Sequence, residues 1–202
     1  MKWGVMILAA GEAKRMGKAK MLLPFKQTTL LGHLIEEIIP LKPNIIQLVT
    51  GHYHDLIVQQ INTERICVIR NTGYKEGMSS SIQVGLSAML NACPDMEFLV
   101  IVVSDQPLLN SSVLINLFNK QQQTSKGIVA SIYNGINGTP VLLSSAYFAQ
   151  LYNLTGDKGA RVILQQFPDD VATIDFESGE LDIDTAEDYE RFCKKINEGH
   201  VD

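Results

Sequence analysis

The 202-residue sequence predicts an α/β protein: a three-layer α/β/α sandwich around a mostly parallel central sheet. Three observations lead there. Short apolar runs rich in β-formers recur along the chain, segments of helical period separate them, and the two kinds alternate almost strictly. Strands apolar on both faces and joined by helices imply crossover connections, with ligands expected beyond the carboxyl ends of the strands.

In chain order, Val5–Ala10 reads as the first strand. Met1-Lys2 ahead of it faintly resembles a signal peptide, but the apolar stretch is short and Lys14, Arg15, Lys18 and Lys20 follow directly. Ile45–Thr50, Ile66–Arg70, Phe98–Val103 and Ile128–Ile132 supply the remaining strands. The clearest helix runs from about Thr29 to Ile39. There Leu30, Leu31, Leu34, Ile35, Ile38 and Ile39 form one apolar stripe, Glu36 and Glu37 face water, and Pro40 ends the pattern. Further helices are expected over His54–Ile61, Ser80–Asn91, Ser111–Gln123, Ser145–Tyr152, Asp157–Phe167 and Thr185–Ile196, several opening on Ser, Thr or Asp as N-caps. Tyr133–Pro140 (YNGINGTP) is dense in turn formers and reads as a loop, a lid or a substrate loop. With no repeat and no dividing linker, the expectation is a single domain over residues 1–202, long enough to bury about 70% of its unfolded surface without disulfides or structural metal.

Composition excludes several functions. Seventeen basic against twenty-two acidic residues argue against a broad grip on nucleic acid, so any anion site must be local. Wholly apolar runs reach six residues, as in Phe98–Val103, far below the roughly 20 of a membrane span. Cys67, Cys93 and Cys193 are odd in number, widely spaced and without a CxxC pair, which fits reduced thiols in a cytoplasmic protein; Cys67, inside a strand, reads as a small buried hydrophobe. His52 and His54 on a polar loop lack a third metal ligand and read as solvated.

The first strand empties into LAAGEAKRMGKAKMLLP, Leu8 to Pro24, with two glycines, one arginine and three lysines. Glycine lets backbone N–H groups approach anionic oxygens and the cations neutralise phosphate; a solvated basic loop would have the same composition. It is not a P-loop, because five residues rather than four separate Gly11 from Gly17-Lys18, and Ala19 replaces the magnesium-binding hydroxyl. Ser104-Asp105-Gln106-Pro107 follows the most hydrophobic strand, which places the Asp105 carboxylate at the ligand edge, as a magnesium ligand or as a turn cap. Asp182 and Asp184 precede the last helix, where Asp184 also reads as its N-cap. Between Arg70 and Ser81 a strand passes through Gly73 and Gly77 to Ser79, Ser80 and Ser81, whose hydroxyls at a helix start suit a base, a ribose or a phosphate. Thr155–Arg161 is another helix-opening turn with charged residues and reads as structural when taken alone. No nucleophile elbow or Ser-His-Asp order is present.

Six blocks in order, LAAGEAKRMGKAKMLLP, GMSSSI, SDQPLL, GTPVLL, GDKGAR and DIDTAED, resemble the MobA-like nucleotidyltransferases over residues 4–190, and among them the molybdenum cofactor cytidylyltransferase branch with its xanthine dehydrogenase maturation accessory proteins. The resemblance implies a Rossmann-like nucleotidyltransferase fold and Mg²⁺-dependent transfer of CMP from CTP to molybdopterin with release of pyrophosphate, serving a molybdenum hydroxylase such as xanthine dehydrogenase. It implies that Gly11, Arg15 and Lys20 hold the triphosphate and that Ala9, Ala10, Ser79, Ser80 and Ser81 border the base. It places Asp105 and Asp182 on the metal, with Asp184 close by, and assigns catalysis to Arg15, Lys20 and Asp105 and second-substrate binding to Gly138, Pro140, Asp157 and Arg161. Relatives that transfer GMP look like LAGG where this chain has LAAG, which favours CTP over GTP. Two departures stand out. Asn137-Gly138-Thr139-Pro140 replaces an Arg-Gly-His-Pro-like loop, and Ala13 stands where a hydroxyl residue is common. Guanylyl transfer, nucleotidyl transfer to a sugar phosphate, and a non-catalytic carrier of finished cofactor are the rival readings.

Overall fold

A computed structural model of the chain describes residues 1–181, 183 and 185–197. Its centre is a seven-stranded sheet. The strands are β1 (Trp3–Ala9), β4 (Ile45–Thr50), β5 (Cys67–Arg70), β6 (Phe98–Val103), β7 (Ile128–Tyr133), β8 (Ile136–Ser144) and β9 (Val171–Asp175), in the spatial order β5-β4-β1-β6-β8-β7-β9. A two-residue pair, β2 (Pro24–Phe25) and β3 (Thr28–Thr29), stands apart. Every ladder within β5-β4-β1-β6 is parallel, as is β7 with β9; β8 alone runs against its neighbours β6 and β7.

The alternation of β1 divides the core. Val5, Ile7 and Ala9 face a cluster with Leu31, Ile35 and Ile38 of α1 (Leu30–Ile38), Ile57 of α2 (His54–Gln60), and Leu114 and Leu117 of α4 (Ser111–Thr124). Met6 and Leu8 face the other way, onto Ile82, Leu86 and Met89 of α3 (Met78–Ala92), Leu151 of α5 (Phe148–Tyr152) and Ile163 of α6 (Arg161–Gln166). This is the expected three-layer architecture, and the period-2 pattern of one strand accounts for both interfaces. A smaller cluster unites Leu23, Phe25 and Leu30 with Ile183 and with Phe192 of α7 (Ala186–Asn197), so the last helix packs against the segment that follows the glycine-rich loop.

Local signals explain the helix ends. The Thr29 hydroxyl accepts from Gly32 N–H at 3.0 Å at the start of α1, and the Asn110 side chain accepts from Val113 N–H at 3.2 Å at the start of α4. Ser125, in the left-handed region, closes α4. Expected and observed helices agree to within a few residues, except that α6 begins at Arg161 rather than Asp157 and residues 145–147 form a 3-10 turn ahead of α5.

Three expectations are corrected. Tyr133–Pro140 is not an open loop: it is the tip of the β7–β8 hairpin, turned by Asn134 and Gly135, both at positive φ, and distorted by a bulge between Ala130 and Ser131. β9 has no counterpart among the expected strands. Cys67 is exposed rather than buried, because β5 is an edge strand with one neighbour. Among the described residues, no helix is long and apolar enough to cross a membrane.

Candidate active site

The chain leaves β1 toward β4 on one side and returns, through α3, to β6 on the other, so strand order reverses at β1. Such a switch point opens a crevice beyond the carboxyl ends of the strands. Here it is a cavity of about 310 Å³. Leu8–Gly11 form one wall, Val103–Asp105 another, and Gly77, Met78 and Ser81 at the start of α3 a third. Ser104 N–H donates to Leu8 O at 3.2 Å, which holds the ends of β1 and β6 together.

Lys20 opens a short 3-10 turn, Lys20–Leu22, anchored by buried Met21, and reaches across the crevice. Its Nζ lies 2.9 Å from Oδ2 of Asp105, with both side chains largely shielded from solvent. A cation from the glycine-rich loop and a carboxylate from β6 thus meet across 85 residues of sequence. Beyond them the cavity continues into a more open recess lined by Glu12, Lys14, Lys75 and Asp157. The hydrogen bond from the Lys14 ammonium holds the Glu12 carboxyl below its ordinary range. The cavity is therefore apolar at its floor and lined by charges of both signs at its mouth, which suits a ligand with an apolar part and a polar, charged part.

Of the residues expected at the site, Ala9, Ala10, Gly11, Lys20, Ser81, Asp105 and Asp157 line this cavity. Arg15 is exposed on the loop above, and Arg161 is exposed at the start of α6. Ser79 and Ser80 are buried away from the cavity lining. Ser80 Oγ donates to Gly77 O at 2.8 Å, and Ser79 N–H donates to Gly156 O at 3.1 Å. Gly138 and Pro140 lie on β8, with Pro140 O accepting from Ser131 Oγ at 2.9 Å. Asp182 and Asp184 lie outside the described residues.

Two side chains without an expected role tie the site together. Gln106, 3% exposed, donates through Nε2 to Thr139 O and to Gly179 O, each at 3.0 Å, and accepts from Thr139 Oγ1 at 3.2 Å. The residue after Asp105 thereby fixes both the β8 segment and the turn that leads to Ile183. Gln83 does the same for the other wall, donating to Tyr152 O and Leu154 O, each at 2.8 Å, beside the Gly156 turn. The SDQP block carried the Gln106 signal in its composition; Gln83 had none.

The carboxylates on the cavity wall are hard oxygen donors. Mg²⁺ is typically held by one or two of these together with substrate phosphates and water. No group of three or more His, Cys, Asp or Glu gathers among the described residues, and this mode of binding needs none.

The chain is 29% identical over 189 residues to the molybdenum cofactor cytidylyltransferase of Escherichia coli, covering 91% of each. It is 28% identical over 192 residues to the nicotine blue oxidoreductase of Paenarthrobacter nicotinovorans, covering 90% of this chain and 91% of that one. The crystal structure of a homologue of Mycobacterium tuberculosis Rv0371c from Mycobacterium sp. strain JC1 superposes with a TM-score of 0.83 at 26% identity, covering 97% of both chains. Residues 5–171 match the MobA-like NTP transferase domain, and the protein belongs to that family of nucleotidyltransferases.

Proposed function

We propose that the protein is a molybdenum cofactor cytidylyltransferase, acting on CTP and molybdopterin and serving a molybdenum hydroxylase of the xanthine dehydrogenase kind in the cytoplasm. The observation that carries the reading is the Lys20–Asp105 pair at 2.9 Å on the wall of the switch-point cavity, beside the Leu8-Ala9-Ala10-Gly11 turn. The likeness to the Escherichia coli cytidylyltransferase over most of both chains supports the choice of donor and acceptor.

In this reading the terminal phosphate oxygen of molybdopterin forms a bond to the α-phosphorus of CTP, the bond from that phosphorus to the β-phosphate oxygen breaks, and pyrophosphate leaves with the electron pair. No covalent enzyme intermediate is required. The apolar floor at Leu8–Ala10 receives the base. Lys20 meets the triphosphate and neutralises charge on the departing pyrophosphate, with Arg15 on the loop above and Gly11 at the turn. Asp105, joined by Asp182 with Asp184 nearby, would hold Mg²⁺, which when bound supplies charge neutralisation between the two anionic substrates. Gly138, Pro140, Asp157 and Arg161 border the acceptor, and Gln106 keeps the β8 segment in register with Asp105. Positioning and charge neutralisation supply the catalysis, so a lost ligand should abolish turnover without unfolding the chain.

The test incubates the protein with Mg²⁺, molybdopterin, and CTP or GTP separately, and measures pyrophosphate. Release with CTP, lost in Asp105→Ala with a native circular-dichroism spectrum, is the expected result. Release with GTP alone makes the protein a guanylyltransferase, and nucleotide binding without any release makes it a carrier. Pyrophosphate release with a sugar phosphate but not with molybdopterin moves the acceptor.

A further inference from the structure

The turn between β4 and α2, Gly51-His52-Tyr53, packs against the start of the glycine-rich loop and holds two of its peptide groups. Gly51 is buried, and a methyl group on it would lie 2.4 Å from Ala10 O, so the two backbones are in direct contact. His52 N–H then donates to Ala10 O at 3.3 Å. Two residues further along the loop, the Tyr53 hydroxyl donates to Glu12 O at 3.1 Å, across 41 residues of sequence. The Tyr53 ring is itself fixed: it is half-buried, packs on the core cluster that includes Ile57, and meets the His52 ring edge-on with 4.5 Å between centroids. Both loop peptides are trans, so each N–H points opposite to the carbonyl that shares its plane. With Ala10 O and Glu12 O drawn to the turn, the N–H groups of Gly11 and Ala13 face away from it. Both residues line the crevice, and neither N–H has a hydrogen-bond acceptor among the described residues. Ala13 holds φ +47°, the left-handed half of the alternation that makes backbone anion nests, and its carbonyl accepts from the N–H groups of Met16 and Gly17, which closes the turn beyond it.

We propose that Tyr53 is a positioning residue for the triphosphate, its hydroxyl holding the Glu12 carbonyl so that the N–H groups of the glycine-rich loop are aimed at phosphate oxygens before a nucleotide arrives. This rests on the reading that a nucleoside triphosphate occupies the crevice, and it deepens that reading. A loop free to move loses backbone entropy when it closes on a ligand, whereas a loop already pinned does not, and the avoided ordering cost appears as affinity. Tyr53 is not among the residues that line the cavity or its outer recess, so its influence passes through the Glu12 peptide. The apolar floor at Leu8–Ala10 lies behind that peptide and does not depend on it. The effect of Tyr53 is therefore confined to the phosphate end of the ligand.

The experiment measures equilibrium binding of CTP, CMP and inorganic tripolyphosphate, in the presence of Mg²⁺ and without acceptor, to the wild type and to Tyr53→Phe, which keeps the ring and removes the hydroxyl. Affinity for CTP and for tripolyphosphate should each fall about three- to tenfold, the range expected for one lost hydrogen bond, while affinity for CMP changes less than about twofold. Equal losses for CTP and CMP would show that Tyr53 supports the fold in general and would overturn the proposal. Unchanged CTP affinity in Tyr53→Phe would overturn it as well, and both results leave the nucleotide reading standing. A wild type that binds none of the three ligands overturns the nucleotide reading and this proposal with it.

Discussion

Replacing Gly77 by alanine should separate the start of α3 from the 154–160 segment and cost far more than the same change at Gly156. Gly77 sits at φ +102° and ψ 179°, a region essentially closed to side chains, and forcing alanine into it costs about 1–3 kcal/mol. A methyl group there would also lie 2.3 Å from the carbonyl carbon of Gly156, 2.4 Å from its oxygen and 2.7 Å from Asp157 N. These are backbone atoms and cannot rotate away, so the contact adds about 1–3 kcal/mol more, as overpacking does elsewhere. Gly156 also has positive φ, +65°, but a methyl group on it meets open space, which leaves a conformational cost of about 1–2 kcal/mol. Urea unfolding checks the pair. At a slope of about 2 kcal/mol per molar, Gly77→Ala should lower the midpoint by roughly 1–3 M and Gly156→Ala by roughly 0.5–1 M. Gly77→Ala should also weaken nucleotide binding, because Ser79 N–H loses its bond to Gly156 O and Ser81 moves with it. Equal midpoint shifts for the two variants would refute the claim that the close approach at Gly77 shapes this wall.

Lys20→Ala should raise the affinity for Mn²⁺ without nucleotide by about two- to fivefold, the range expected when a partly shielded ion pair no longer competes for Asp105; unchanged manganese binding by electron paramagnetic resonance would contradict this. Gln106→Ala strips donors from two carbonyls and should cost about 2–4 kcal/mol in urea unfolding, with the KM for the acceptor rising more than the KM for the nucleotide; equal rises would mean that Gln106 supports the fold in general rather than the β8 segment. Burial, and then the Lys26 ammonium, hold His33 below its ordinary pKa, with Glu37 opposing, so the unfolded chain binds the proton more readily than the folded one. The contribution of neutral His33 to stability is complete above about pH 6.5 and is lost as pH falls through the lower folded value. Wild type should accordingly lose more Tm between pH 7.5 and 5.5 than His33→Gln, and parallel losses would refute the assignment.

The parallel half of the molecule was legible because its strands are apolar on both faces and its helices carry clear stripes and caps. The hairpin was not. Val141–Leu143 would read as a strand alone, but the preceding Asn137-Gly138-Thr139-Pro140 reads as a turn, and what holds these residues in β8 is pairing with β7 across the bulge and the Ser131 Oγ–Pro140 O bond. β9 is short and carries Thr173 and Asp175, so only its place beside β7 marks it as a strand. At the site, the ends of β1 and β6 were legible from position alone, since a polar residue after a buried strand must lie at the sheet edge. The three serines look equivalent in sequence, yet of the three only Ser81 lines the cavity, a distinction created by the phase of α3. Gln106 acts on carbonyls 33 and 73 residues away, a relation with no local signature.

Because β8 alone is reversed, the tip that joins it to β7 protrudes at the same rim as the crevice without belonging to any helical crossover. Residues 133–138 can lengthen, shorten or change chemistry while the ladders that frame Leu8–Gly11 and Asp105 stay as they are. Such a division lets evolution retune what is received at one side of the crevice while inheriting intact the apparatus on the other, and a designer could graft a different tip onto this sheet for the same reason.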